Sequence, residues 1–516
     1  MDQSLALEVM LQGESVFLTG PAGSGKTYVL NEFIRLAKKH GKVLAVTATT
    51  GLAATHLSGT TIHAWSGIGV HSKLPGNFYD TMTKGRIEAI QTADVLIIDE
   101  ISMLHDYRLD LVNNIAKTVR QNDEPFGGLQ VILCGDFFQL PPVNRADDEV
   151  SGGFVVSSQA WSELDPTICY LQEQHRQDDN DFLEILNALR AGDIRRHHAE
   201  KLMNRLNVEV GDDQEVTELH TTNVDVDGIN KSKLAAIEED AFVYSMQTTG
   251  SDNYVESLKR SCLAAEDLVL KKGALVMCIK NSPDRKYANG SLGIVVGFEE
   301  DTNYPIVKLR NGREVIMQPD TWELRDGKKK RAGLTQIPLR LAWAITVHKS
   351  QGMTLDAARI NLRRAFVEGM GYVALSRVRS LNTLCLTGIN NMALKVSRDA
   401  LEIDELLRAR AVHDQKKFSH LQEMATARQS ESNKSKPAKK PKNTEWANKI
   451  EEMRKTYPKA FKPWSKAEDA LLISAYKDGK NINEMCSIMQ RQPGGVIARL
   501  KKHFGEDAAI KSDNIK

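Results

Sequence analysis

Four short, mostly apolar runs stand out early in the chain: Val16-Phe17-Leu18-Thr19, Val43-Leu44-Ala45-Val46, Val95-Leu96-Ile97-Ile98 and Leu129-Gln130-Val131-Ile132-Leu133. Helical spacing separates them, as over residues 28–40. Runs without alternation predict strands buried on both faces, and hence a parallel sheet sandwiched between helices. The pattern lapses between Ile68 and Gln91, where Pro75-Gly76 and several polar residues predict an insertion. From Leu268 to Trp322 the texture changes to short strands at 274–279, 292–296, 305–309 and 314–317. Asn289-Gly290 and Asn311-Gly312 predict hairpin turns there, because both residues tolerate positive φ. This pattern fits a small inserted β-barrel at 268–322, with a first α/β domain over 1–165 and a second assembled from 166–267 and 323–408.

Beyond residue 408 a charged helix gives way to a Lys/Pro/Ser tract, Ser430 to Lys442, that cannot bury a core. Residues 409–444 are therefore expected to be a basic flexible linker. Periodicity returns over 445–510, with three short helices expected at 464–476, 482–489 and 493–504. Ser465 and Glu468 are spaced as a capping box. Trp464, Leu472, Ile482, Met485, Ile488, Ile497 and Leu500 would share one small core.

A length of 516 residues suggests about three or four domains. With 41% hydrophobic and 26% charged residues, wholesale disorder and a disulfide-stapled mini-protein are excluded. No apolar run approaches the roughly 18 residues of a membrane span. The Met1-Asp2-Gln3-Ser4 start has no basic segment or long apolar core, so a soluble, cytoplasmic protein is expected. Six scattered cysteines without a C-x-x-C pair predict free thiols. The net charge of +1 conceals an asymmetry: residues 414–516 carry 22 Lys and Arg against 13 Asp and Glu, a balance of +9, which leaves −8 on residues 1–413. A basic tail on an acidic body suits contact with a polyanion.

Gly20-Pro21-Ala22-Gly23-Ser24-Gly25-Lys26-Thr27 follows a predicted strand and opens a predicted helix, the setting a G-x4-G-K-[ST] phosphate loop requires. Backbone N–H groups of the loop would face the phosphates of a nucleotide, Lys26 would reach the β/γ oxygens and Thr27 would ligate magnesium. Asp99 and Glu100 end a buried strand. In a nucleotide hydrolase they would serve as magnesium ligand and general base; in another setting such a pair is a solvated turn. Past the next strand, Gln139 is placed to sense the γ-phosphate, while Phe137 or Phe138 either meets a base or is core.

These segments, in this order, resemble superfamily 1B DNA helicases of the Pif/RecD branch over roughly residues 1–390. Further matching stretches are 46–54 with 59–65, Glu173-Gln174-His175-Arg176-Gln177, 343–355 (ending Val347-His348-Lys349-Ser350-Gln351-Gly352-Met353-Thr354-Leu355) and Gly371-Tyr372-Val373-Ala374-Leu375-Ser376-Arg377. The resemblance implies two RecA-like domains with Arg176 and Arg377 as arginine fingers, Gly352 at the nucleotide, and an adenine-reading glutamine that is Gln3 or Gln12. It places Thr47, Thr49, Thr50, His63, Thr346, His348 and Lys349 on the backbone of single-stranded DNA. It likens the 68–91 insertion to a strand-separation hairpin and the β-barrel to the inserted 2B element. The implied activity is ATP-driven 5′→3′ translocation and unwinding by a monomer acting on single strands and single-strand/duplex junctions in replication, recombination or repair. Two alternatives stay open, a motor on RNA or RNA–DNA hybrids and an ATP-switched DNA-binding regulator. The tail resembles a Myb/SANT-type helix-turn-helix, which implies phosphate contacts from Arg491, Arg499, Lys501 and Lys502, or a protein contact in their place.

Overall fold

The computed structural model describes the chain apart from residues 58, 70–71, 143, 145–149, 175–178, 211–215, 263, 283, 285, 288, 327–328, 356, 436–452, 454–455, 461–463 and 505–516, with backbone alone at a few further positions. It divides into two units, Met1–Thr426 and Ala427–Lys516. No helix among the described residues is long and apolar enough to cross a membrane.

The larger unit begins with six strands, β1 (Val16–Thr19), β2 (Leu44–Ala48), β3 (Thr60–Thr61), β4 (Val95–Asp99), β5 (Gln130–Cys134) and β6 (Thr167–Tyr170). They form one parallel sheet in the order β3-β2-β4-β5-β1-β6. β1, β4 and β6 are buried at every position, which is why their sequences do not alternate. Helix α1 (Gln3–Leu11) and helix α2 (Lys26–Lys39) share an apolar cluster against one face of the sheet. In α2 that face is Val29, Leu30, Phe33, Ile34 and Ala37, the i, i+4 spacing of an amphipathic helix. Because β6 pairs with β1, the first domain extends past the expected boundary at 165 to Tyr170. In the 68–91 insertion the described residues hold a 3-10 turn, Tyr79–Thr81, and a helix, Lys84–Thr92, begun by the Thr83 cap, and no strand. The segment likened to a strand-separation hairpin is thus helical over much of its described length.

The remaining strands of this unit are β7 (Thr217–His220), β8 (Ala241–Ser245), β9 (Gln247–Gly250), β10 (Asp267–Lys271), β11 (Leu275–Cys278), β12 (Leu292–Phe298), β13 (Pro305–Leu309), β14 (Glu314–Ile316), β15 (Asp320–Asp326), β16 (Lys329–Gln336), β17 (Leu339–Leu341), β18 (Ala344–Thr346), β19 (Ala358–Leu362) and β20 (Leu384–Ile389). A second parallel sheet, β18-β7-β19-β20, is the core of the second domain. Everything from β8 to β17 is inserted between two of its strands. The insert forms antiparallel sheets of five, three and two strands. It therefore runs over 241–341, wider than the expected 268–322: β17 pairs with β11, β8 pairs with β10, and β9 and β16 pair with each other, with β15 on the other side of β16. Asn311-Gly312 is the tight turn joining β13 to β14, whereas Asn289-Gly290 closes a longer loop between β11 and β12.

The expected linker at 409–444 starts too early. Helix Arg398–Lys417 lies along β6, where Asp414 Oδ2 accepts a hydrogen bond from Ile168 N (2.8 Å). After it, Phe418, Leu421 and Ala425 are buried in the cluster that holds Leu5, Met10 and Phe33. Apolar residues at 418, 421 and 425 make a helical stripe, and that stripe closes the first domain.

In the smaller unit, helices Lys466–Lys477, Ile482–Met489 and Pro493–Phe504 stand where the periodicity predicts them, the first two begun by capping boxes of Ser465 with Glu468 and Asn481 with Glu484. Their core is Leu472, Ala475, Ile482, Met485, Cys486, Met489, Val496 and Leu500; Ile488 is exposed instead. Arg491 is only 4% exposed, stacks on Trp464 at 4.2 Å and is paired with Glu468. Arg499 donates to both carboxylate oxygens of Asp469. Both arginines hold this fold together, which corrects their reading as phosphate contacts. The side chain of Lys501 lies outside the described residues.

Candidate active site

The loop after β1 bends back to start α2. Gly25, the N-cap, has φ +86, and a Cβ there would collide with the Gln3 amide. Only glycine fits both demands. Gln3 Nε2 donates to Ser24 O (2.9 Å), so α1 carries Gln3 onto the loop formed by Gly20, Ala22, Gly23, Ser24 and Gly25. Gln12 sits exposed at the far end of α1, which eliminates it as the loop's glutamine. Lys26 Nζ donates to Gly20 O (2.8 Å) and Pro21 O (3.2 Å). Burial lowers its pKa, with Asp136 acting in the opposite sense. The Ser24 hydroxyl is buried with no hydrogen-bond partner among the described residues, and Thr27 stands exposed beside it. An orphaned hydroxyl, an ammonium and the first N–H groups of a helix make a cradle that fits a polyphosphate.

Asp99 and Glu100 close β4. Asp99 is 7% exposed and accepts from Glu100 N (2.9 Å). Burial raises its pKa, and a hydrogen bond from the Cys134 thiol opposes the rise. Glu100 has φ 53, a left-handed conformation that a non-glycine residue adopts at a cost. Burial, joined by the Asp99 charge, lifts its carboxyl to about 7. A carboxyl tuned in this way is suited to taking a proton near neutral pH. The Thr27 hydroxyl and the Asp99 carboxylate are oxygen donors of the kind magnesium accepts.

The second domain reaches this strand end directly. Gln351, in the turn after β18, donates from Nε2 to Glu100 Oε2 (2.9 Å). The Tyr372 hydroxyl accepts from Ala22 N (2.8 Å). Gly369 lies so close to the first domain that a Cβ would stand 2.5 Å from Gln139 O. Gly352, next to Gln351, lines a pocket with Asn281, Tyr287 and Leu292 of the insert. Arg377 is 1% exposed and donates to Val373 O, Ser350 O, Met353 O and Ser376 Oγ, all in its own domain. Its charge nonetheless acts on Glu100. Arg176 lies outside the described residues.

Gln139 is buried, its Nε2 3.4 Å from Asp136 Oδ2. Asp136, fully buried, pairs with Arg190 of the second domain at 2.6 Å. Arg190 also donates to the Tyr170 hydroxyl (3.1 Å) and to Asp404 (3.2 Å). Burial opposes its charge, yet Asp136, Tyr372, Tyr170 and Asp404 hold it protonated well above the usual arginine value. Sequence reasoning missed Arg190, which carries no motif and ends an ordinary amphipathic helix. Phe138 is 2% exposed and lies under the Arg190 guanidinium at 4.2 Å, so it is core and not a base platform.

The residues expected along a DNA strand divide into two groups. Thr47 is fully buried and donates to Ile97 O (2.6 Å), and Thr49 donates to Glu100 O (2.9 Å). Their hydroxyls bind the sheet ends together, which corrects Thr47 as a strand contact. Thr346, 4% exposed, accepts from Lys349 N (3.2 Å) and shapes its turn. Thr50 accepts from Ala53 N (3.2 Å) at the start of a short helix. His63 accepts from Arg108 Nη1 (2.9 Å); burial, with Arg108 beside it, lowers its pKa to about 4, so it is neutral near pH 7. His348 lies parallel to Phe366, at 6.1 Å, with Lys349 next in the turn. Phe366 is 61% exposed and was not singled out from sequence, since one aromatic in a polar stretch carries no signal.

Comparison with known proteins agrees with this geometry. The profile of the PIF1-like helicase family matches residues 2–200, and that of the DNA helicase Pif1 2B domain matches residues 253–298. The ATP-dependent DNA helicase Pif1 of Psychrobacter sp. (strain PRwf-1) is 39% identical over 482 residues, covering 82% of this chain and 73% of that protein. The ATP-dependent DNA helicase PIF1 of Xenopus laevis is 38% identical over 388 residues, covering 74% of this chain, which spans 60% of that relative's length. Among solved structures, Pif1 helicase from Candida albicans superposes with a TM-score of 0.68 at 36% identity, covering 78% of this chain and 98% of that one. Pif1 from Bacteroides sp in complex with ADP-AlF4 gives 0.68 at 31% identity, covering 79% and 97%. With two parallel-sheet domains meeting over a phosphate loop and relatives this similar along most of their length, the chain belongs to the PIF1-like helicase family.

Proposed function

We propose that this chain is an ATP-dependent DNA helicase that translocates 5′→3′ on single-stranded DNA and unwinds duplex or structured DNA. The observation that carries the reading is the meeting of Gln351 and Tyr372 with Glu100 and the phosphate loop. A nucleotide bound to the loop would add to or release those contacts, and so change the angle between the domains. Lys26 would bind the β/γ phosphates, Gln139 would sense the γ-phosphate and Glu100 would act as general base. Arg377, with Arg176, would offset charge developing on the γ oxygens. Magnesium would be held with ATP by Thr27 and Asp99, where it supplies charge neutralisation. On the strand side, His63 with Arg108, Thr50, His348 and Lys349 offer the hydrogen bonds and cations that grip a backbone without reading sequence.

The test is strand separation on duplexes with either a 5′ or a 3′ single-stranded tail, with ATP and magnesium. Unwinding is expected from the 5′ tail only. Unwinding from neither tail, with DNA still stimulating hydrolysis, would replace the motor by an ATP-driven switch. Faster unwinding of matched RNA substrates would make RNA the substrate.

The tail is proposed as a tethered Myb/SANT-like module that adds DNA contacts to a monomeric motor at single-strand/duplex junctions, in the cytoplasm and, in a bacterium, on the nucleoid. Since Arg491 and Arg499 are engaged internally, the supporting feature is the net positive charge, concentrated at Lys434, Lys436, Lys439, Lys440 and Lys442. Deleting residues 430–516 should weaken binding to an oligonucleotide and flatten its salt dependence, by about 0.7 in log–log slope for each phosphate that the tail neutralises. Unchanged affinity and slope would assign the module to a protein partner instead.

A further inference from the structure

Of the buried polar atoms that the reading above leaves without a task, the acceptor end of the Gln351 amide belongs to a side chain that already touches the site. Gln351 is 7% exposed, and while its Nε2 donates to Glu100, its Oε1 is buried with no hydrogen-bond partner among the described residues. Native proteins rarely leave such an oxygen unpaired, and exceptions concentrate at functional sites. Its neighbour across the cleft is Glu100, held in a left-handed backbone conformation at φ 53.

We propose that Gln351 is a positioning residue for the attacking water: Nε2 holds the Glu100 carboxylate while Oε1 accepts one of the water's hydrogens. The inference rests on the ATP-hydrolase reading of this site. In the step, the water oxygen bonds to the γ-phosphorus and the bond from phosphorus to the β–γ bridging oxygen breaks, its electron pair leaving with ADP. One water proton passes to Glu100, and the other hydrogen stays on the new phosphate, directed at Gln351 Oε1 until release. Two acceptors on one water fix the direction of its attacking lone pair, which a carboxylate alone does not. Gln351 comes from the second domain, so the pair exists only when the domains meet. The same turn holds His348 and Lys349, and Gln351 N donates back to His348 O (3.3 Å). Gripping a strand and orienting the water are thus tasks of one short segment.

The test uses the full chain with a saturating single-stranded oligonucleotide and compares wild type with Gln351→Met, similar in length but without the amide, and Gln351→Glu, which keeps acceptors but loses the donor. Gln351→Met should lower kcat about 10²-fold, as loss of one positioned polar group does, while the KM for ATP and the Kd for the oligonucleotide stay within about threefold. Gln351→Glu should fall at least as far, because two carboxylates would then face each other. A Gln351→Met kcat within about threefold of wild type would overturn the proposal, and so would a fall in kcat matched by equal weakening of ATP and oligonucleotide binding, the mark of a general structural role. If wild type itself shows no oligonucleotide-stimulated hydrolysis, the helicase reading fails and takes this inference with it.

Discussion

Replacing Lys26 with alanine is expected to lower DNA-stimulated ATP hydrolysis on the order of 10³-fold and to abolish strand separation. Lys26 stands at the first turn of α2, with its ammonium among the loop carbonyls of Gly20 and Pro21. No other lysine or arginine of the first domain is bonded to that loop among the described residues. Alanine leaves α2 intact, being the best helix former, so the loss should be chemical and not structural. Phosphate release with and without a single-stranded oligonucleotide measures it, beside a thermal melt to show that the fold persists. Residual hydrolysis within tenfold of wild type would mean that the phosphates are bound elsewhere.

The second large effect is on stability and on the joint between the domains. Arg190→Met should destabilise the larger unit by about 3–5 kcal/mol, because it strands the fully buried Asp136 carboxylate and removes the partner that Asp404 and Tyr170 share. The same change should weaken hydrolysis, since Gln139 is three residues from Asp136 and bonded to it. The double variant Arg190→Met with Asp136→Asn should recover part of the loss, because the uncompensated charge is then gone. Urea unfolding midpoints of the two singles and the double measure the coupling. If the double is no better than the sum of the singles, the pair is not the energetic joint that its geometry suggests.

Much of the fold was legible because burial on both faces leaves a direct mark. β1, β4 and β5 could be read as mostly apolar runs, and the phosphate loop as glycines between a strand and a helix. The tail helices were equally legible from caps and spacing. The domain edges were harder. β6 belongs to the first sheet only because it pairs with β1, some 150 positions upstream, and no local feature of Thr167 to Tyr170 says which sheet it joins. The inserted β region was underestimated for a similar reason: β9 and β16 are partners across more than 80 positions, with no local turn between them. Phe138 had been left open between a base contact and the core, and Arg491 and Arg499 were offered as phosphate contacts by the helix-turn-helix resemblance; in each case an internal partner engages the group.

The candidate chemistry of Lys26, Thr27, Asp99 and Glu100 could be read from the sequence itself, since they stand at a helix start or a strand end, whereas Arg377 was read from the family resemblance. Which of these groups meet was decided only by tertiary structure. Gln351 reaches Glu100 across 251 positions, and Tyr372 reaches Ala22 across 350. Such contacts depend on how two sheets, each stable through its own core, come to face one another. Spacing along the chain carries no record of that packing, because a hydrogen bond between separate domains is set by the placement of both cores and not by the residues between them.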